Sequence, residues 1–157
     1  MLDVACGAGR HAQFFAATGR TVLGVDRDLA ALASLAGIAC VHPVCADLEG
    51  GPWPFVPGGF GAVVVTNYLH RPLFPSLRSA LAPGGLLIYE TFASGNERYG
   101  RPANPDFLLL PGELLRMAEG LRILAYEDCY TTRPKPALVQ RVCAIAACDV
   151  PASALDE

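Results

Sequence analysis

Asp3, Asp26, Asp47 and Asn67 stand at the ends of short apolar runs, and Gly7-Ala8-Gly9 turns the chain after the first of them. Carboxylates accept hydrogen bonds from hydroxyls, amines and ammonium groups. Glycines lack the Cβ atoms that would hold a ligand away from the backbone. A helix that starts just after such a turn points its free N–H groups back at it. Each polar residue alone suits a turn or a cap. Four of them at one edge of one sheet, beside a glycine turn, point to a nucleotide-type ligand. His70 lies in the same segment as Asn67 and could serve as a base.

The elements that must position these groups alternate along the chain. Leu2, Val4 and Ala5 read as the end of a buried parallel strand, and residues 10–17 as a helix. Residues 21–25 are a second strand, ended by Asp26. Asp28 can cap a helix over 29–35 that Gly37 stops. Residues 38–44 are a third strand and 60–66 a fourth, with a Pro- and Gly-rich loop around Trp53 where a crossover helix is usual. A helix over 72–81 is broken by Pro83-Gly84-Gly85, and residues 86–91 form a fifth strand. A polar, proline-bearing loop over 92–110 leads to a short helix at 111–118. Strands over 121–131 and 138–148 are close enough to be a hairpin. This order predicts an α/β fold, a doubly wound sheet of five parallel strands plus a C-terminal antiparallel hairpin, with the ligand at the carboxyl ends of the strands. One domain over residues 1–148 is expected, with a frayed tail at 149–157.

Composition narrows the classes. The chain is 52% hydrophobic with mean hydropathy +0.34, as sheets covered on both faces require. It has no apolar run long enough for a membrane span and no signal peptide at its start. A net charge of −3 argues against a nucleic-acid partner. Lys135 is the only lysine, the other basic residues being arginines, which suits either anion recognition or a GC-rich genome. The six cysteines form no Cys-x-x-Cys pair and no standard zinc spacing, so no metal site is expected. Most of them sit in apolar runs and read as buried strand residues, Cys40 and Cys45 among them, in a reduced, cytoplasmic setting.

Gly7-Ala-Gly9-Arg-His-Ala12 also fits the dinucleotide pattern, and Asp26 follows at the expected distance of about 20 residues. The glycines alone therefore do not choose the cofactor.

As a set, the motifs resemble those of class I S-adenosylmethionine-dependent methyltransferases, closest to the tellurite-resistance-type and small-molecule enzymes. Leu2-Asp-Val-Ala-Cys-Gly-Ala-Gly-Arg10 is similar to the family's first motif, Val25-Asp-Arg-Asp28 to the second and Ala46-Asp-Leu-Glu49 to the third. Phe60 to His70 resembles the fourth, and Leu81-Ala-Pro-Gly-Gly-Leu-Leu-Ile-Tyr-Glu90 the fifth. The resemblance implies a Rossmann-like fold with S-adenosylmethionine as cofactor. Gly7 and Gly9 would let the backbone approach the methionine part, and Asp3 would meet its amino group directly or through water. Asp26 would hold the ribose hydroxyls. Asp47 would accept from the adenine amine, with Leu48 on the ring. Asn67 or Tyr68 would lie beneath the sulfonium. His70 could be the base, with Tyr99 on a loop bordering the same edge, and Arg71, Arg98 and Arg101 could hold an anionic small-molecule acceptor.

A non-catalytic or degenerate cofactor-binding domain, and an NAD-binding oxidoreductase domain, are the alternatives. The family normally has a segment before the first strand, and here the strand starts at the first residues. That predicts an open cleft, an apolar surface beside Leu2 and Val4, and self-association through it.

Overall fold

The structure is a computed structural model that describes residues 1–148, so the expected tail at 149–157 lies outside the described residues. β1 (Leu2–Val4) runs into α1 (Arg10–Ala16), β2 (Val22–Asp26) into α2 (Leu29–Leu32), and β3 (Val41–Cys45) into a long loop. β4 (Phe60–Thr66) is followed by α3 (Phe74–Ser79), and β5 (Leu81–Phe92) by a loop and α4 (Glu113–Met117). β6 (Arg122–Thr131) and β7 (Ala137–Ile145) close the order. The strands form one sheet in the order β3-β2-β1-β4-β5-β7-β6. β1 to β5 are parallel, and β7 is antiparallel to both β5 and β6. The hairpin therefore inserts its second strand next to the parallel set.

Side chains alternate across a sheet, so register decides what each face buries. The row Leu2–Val63–Leu87–Ala144 crosses four strands and is buried throughout. It packs with Leu77 of α3 and with Leu114 and Met117 of α4 in the main core. On the opposite face Val22 and Val41 pack with Ala12 of α1, Leu32 of α2 and Leu35 just after it. Trp53 and Phe55 join the main core, each ring edge-on to the next at 5.1 Å and then 5.5 Å to Phe60. This aromatic string covers the sheet where a crossover helix is usual.

Several expectations need correction. Leu2 and Val4 are themselves 0% and 1% exposed, and the apolar surface near them is reached at Met1 and Phe15 instead. The half-covered apolar surface is on the α1 face, farther out, at Ala62, Leu86, Ile88, Cys143 and Ile145. The cysteines are not buried strand residues: Cys40, Cys45 and Cys148 are exposed and the other three are partly so. Cys45 sits on β3, an edge strand, where one side of the backbone has no neighbour to cover it. Pro83-Gly84-Gly85 does not separate a helix from a strand. β5 runs through it, because a register shift opposite Phe60–Ala62 lets Gly84 turn through φ +73° and the strand resume. Pro111 precedes α4, whose N-cap is Gly112, instead of opening it.

Gly9 shows a packing constraint under the glycine turn. It holds φ +73°, and a Cβ there would lie 2.3 Å from Leu35 Cδ2. At Gly7, φ +53°, a Cβ would meet nothing within 4 Å. Gly9→Ala should therefore lose about 2–4 kcal/mol from strain plus overpacking. Gly7→Ala should lose about 1–2 kcal/mol from backbone strain alone. Urea unfolding of both variants checks this, and equal losses would contradict the packing role of Gly9.

Candidate functional site

The strand order reverses between β1 and β4, since the chain leaves β1 toward β2 and leaves β4 toward β5. Crevices form above the carboxyl ends of strands at such a point. The β1–α1 turn is tightly wound there. Ala5, Gly7 and Gly9 all hold left-handed φ of 51°, 53° and 73°, and the Gly9 N–H donates to the Cys6 carbonyl at 2.8 Å. A left-handed alanine costs about 1–2 kcal/mol, which the surrounding contacts must offset.

Asp26 fixes this turn from β2. One carboxylate oxygen accepts the Gly7 N–H at 2.7 Å and the other accepts the Asp28 N–H at 2.9 Å. Each oxygen keeps a further lone pair for a ligand. Asp28, as expected, caps α2 by accepting from Ala30 and Ala31. Asp26 thus binds backbone, and Asp28 does the capping.

A cavity of about 200 Å³ opens beside Asp26, walled by Ala5, Ala46, Asp47, Leu48 and Tyr68. Leu48 is 7% exposed and supplies an apolar floor. The Asp47 carboxylate accepts the Glu49 N–H at 3.0 Å. Backbone donors from Glu49 and Gly50 hold its pKa below the ordinary carboxylate value. Burial and the neighbouring Glu49 push the Tyr68 phenol up, so it stays neutral. Its backbone is fixed by the buried Tyr89, whose hydroxyl donates to the Tyr68 carbonyl at 2.8 Å. The structure therefore brings Asp26, Asp47, Leu48 and Tyr68 around one space, with the open side of Gly7 next to it.

Asp3 sits deeper. It is 1% exposed, and its carboxylate accepts the Ala12 N–H of α1 at 2.9 Å. Burial raises its pKa from 3.8 to about 6, against the opposing pull of the Ala12 N–H and Arg10. A direct meeting with a ligand's amino group has little open surface to use, which leaves the route through water.

The other expected residues scatter. Arg71 is already engaged: its guanidinium donates to Glu113 at 2.6 and 3.0 Å and to the Asp106 and Leu108 carbonyls. It holds the post-β5 loop and α4 together, and four of its five N–H donors are spent doing so. His70 is half-buried near Asp47, whose carboxyl it helps to hold low. Tyr99 lies against Tyr130 at 5.1 Å, over the β6 edge of the sheet. Arg98 is exposed. Arg101 lines a second cavity, which begins at Asn67.

Residues outside the motifs also shape this edge. His11 Nδ1 lies 3.2 Å from Thr66 Oγ1 and ties α1 to the end of β4. Asn96 is buried and joins the post-β5 loop to itself at Pro102 and to β7 at Leu138. Gln140, fully buried, accepts from Leu114 and donates to Leu110. All but the Asn96–Pro102 bond join residues 26 or more positions apart, so no local pattern signals them.

Comparison with known proteins agrees with this architecture. Residues 1–85 match the family described as a methyltransferase domain. An S-adenosylmethionine-dependent methyltransferase of Mesorhizobium loti is 18% identical with a TM-score of 0.74, over 92% of this chain and 89% of that one. A TehB-like S-adenosylmethionine-dependent methyltransferase of Corynebacterium glutamicum is 19% identical with a TM-score of 0.66, over 93% and 78%. Geranyl diphosphate C-methyltransferase of Streptomyces coelicolor, solved with Mg2+, geranyl diphosphate and S-adenosyl-L-homocysteine, is 18% identical with a TM-score of 0.69, over 93% and 70%. No curated protein matches the chain.

The raised pKa of Asp3 has a signed consequence. Its folded pKa of about 6 exceeds the unfolded 3.8, so protonation favours the folded state. That contribution is complete below about pH 4 and is lost as pH rises through about 6. Asp3→Asn keeps an oxygen for the Ala12 N–H and carries no charge. It should be more stable than the parent by about 1–3 kcal/mol at pH 7, with the gap closing below pH 4. Urea unfolding at several pH values measures this, and a gap independent of pH would contradict it.

Proposed function

The chain belongs to the methyltransferase-domain family, and from that footing we propose that it methylates a small molecule with S-adenosylmethionine as the donor. The residues of the site fit that cofactor. Asp26 offers carboxylate lone pairs to a ribose diol while its backbone partners hold it still. Leu48 and Tyr68 give a purine an apolar and an aromatic wall, with Asp47 at hand for an exocyclic amine. The space above Gly7 admits the amino-acid end. The observation that carries the proposal is the Asp26 carboxylate, locked by two backbone N–H groups on the wall of a cavity of about 200 Å³ that Leu48 and Tyr68 also line.

S-adenosylmethionine supplies a methyl carbon on a sulfonium, so transfer breaks the carbon–sulfur bond, leaves its electron pair on sulfur, and uses an acceptor lone pair for the new bond. The chain's own residues hold the partners in line and keep water out. Asp3 would face the cofactor's ammonium through water, where its buried charge is useful. Asn67 and Tyr68 would flank the reacting end. A small-molecule acceptor is supported by the net charge of −3 and by the Streptomyces enzyme of the same fold, which carries geranyl diphosphate.

Isothermal titration of the parent and of Asp26→Ala tests this. The parent should bind S-adenosylhomocysteine and prefer it to NAD. Loss of the charged acceptor should weaken binding by about 10- to 100-fold. NAD binding without S-adenosylhomocysteine binding, or unchanged affinity in Asp26→Ala, would contradict the proposal.

A further inference from the structure

Asn67 and Tyr68 are successive residues, yet they line different cavities. Tyr68 borders the nucleoside space beside Asp26, and Asn67 borders a second space of about 610 Å³ on its β5 side. Asn67 holds a left-handed φ of 54°, and the chain bends there between the two spaces. A single short segment at the end of β4 is their shared wall.

The chemistry of the second space is two-sided. Phe92, Pro102 and Phe107 give it apolar walls, and Arg101 and Lys135 bring two cations to it. The cations come from different connections, the post-β5 loop and the β6–β7 turn. Among the described residues neither has a carboxylate within 4.0 Å, so both charges are open to a ligand. Lys135 is the only lysine in a chain of net charge −3. The space is an open groove, with Phe107 52% exposed on its wall, so a bound body would be covered on one side. The wall is also held in place. Asn96 ties the loop to β7, and Arg71 grips the Asp106 and Leu108 carbonyls on either side of Phe107.

We propose that this second cavity binds a small organic anion with an apolar body, and that such an anion is the methyl acceptor. The second half of the proposal rests on the methyltransferase reading above. Arg101 and Lys135 hold the anionic head by charge-assisted hydrogen bonds, and the phenylalanines cover the body. Asn67 then marks the side from which the methyl group arrives. Carboxylate and phosphate heads share this chemistry.

The test uses octanoate, octyl phosphate and 1-octanol as probes, titrated with S-adenosylhomocysteine present into the parent, Arg101→Gln, Lys135→Gln and Phe107→Ser. Saturation-transfer NMR gives the affinities, and calorimetry gives the affinity for S-adenosylhomocysteine in each variant. At least one anion should bind the parent, with 1-octanol about tenfold weaker or more. The better of the two anions names the head group. Each charge-removing variant should weaken that anion by about tenfold with unchanged affinity for S-adenosylhomocysteine, and Phe107→Ser should weaken the anion and the alcohol alike. Anions that bind no better than the alcohol, or that ignore both charge-removing variants, overturn the proposed class. Failure of the parent to bind S-adenosylhomocysteine overturns the methyltransferase reading instead, whatever the anions do.

Discussion

Two backbone N–H groups from two different loops converge on the Asp26 carboxylate, and the geometry of this edge depends on that meeting. Gly7 belongs to the turn after β1, and Asp28 to the start of α2. Holding both on one side chain fixes the β1–α1 turn and the start of α2 against the end of β2. Gly9 and Leu35 then pack so closely that no Cβ fits between them. The left-handed Ala5 is kept in place by the same arrangement. A carboxylate that must satisfy backbone donors cannot wander, so its remaining lone pairs are aimed before any ligand arrives. Preorganisation of this kind lowers the cost of ordering on binding.

The other side of the edge is organised by different means. There the connection after β5 is long, and buried amides and one ion pair take the place of regular structure. Asn96 and Gln140 satisfy backbone groups that the loop would otherwise leave unpaired. Arg71 and Glu113 clamp the loop to α4. A long loop held at several points can present Phe107 and Arg101 at fixed positions, as a specific site requires. The Asp26 side is thus set by local turns, and the β5 side by contacts across long stretches of chain.

That division explains what the sequence made legible. Asp26, Asp47 and the glycine turn follow their strands directly, so apolar runs and spacing were enough to find them. The Asp28 cap and the terminal hairpin are local patterns too. Arg71 was misjudged because its partner Glu113 is distant in sequence and adjacent only through the sheet. Cys40 and Cys45 sit in an apolar run that reads as buried strand, but β3 is an edge, and strand order is not written in the run. Leu2 and Val4 read as buried strand from their apolar run alone, and the register with Val63 and Val65 is what buries them. Lys135 drew attention only as an oddity of composition, and its place beside Arg101 depends on the β6–β7 turn reaching the same edge.

A crystal structure of the protein with S-adenosylhomocysteine tests the central claim most directly. The expected result has both ribose hydroxyls on the Asp26 carboxylate, with the Gly7 and Asp28 N–H bonds intact. The adenine should lie between Leu48 and Tyr68, and the sulfur should face Asn67. A ligand bound elsewhere, or a ribose that leaves Asp26 to its backbone partners alone, would contradict it.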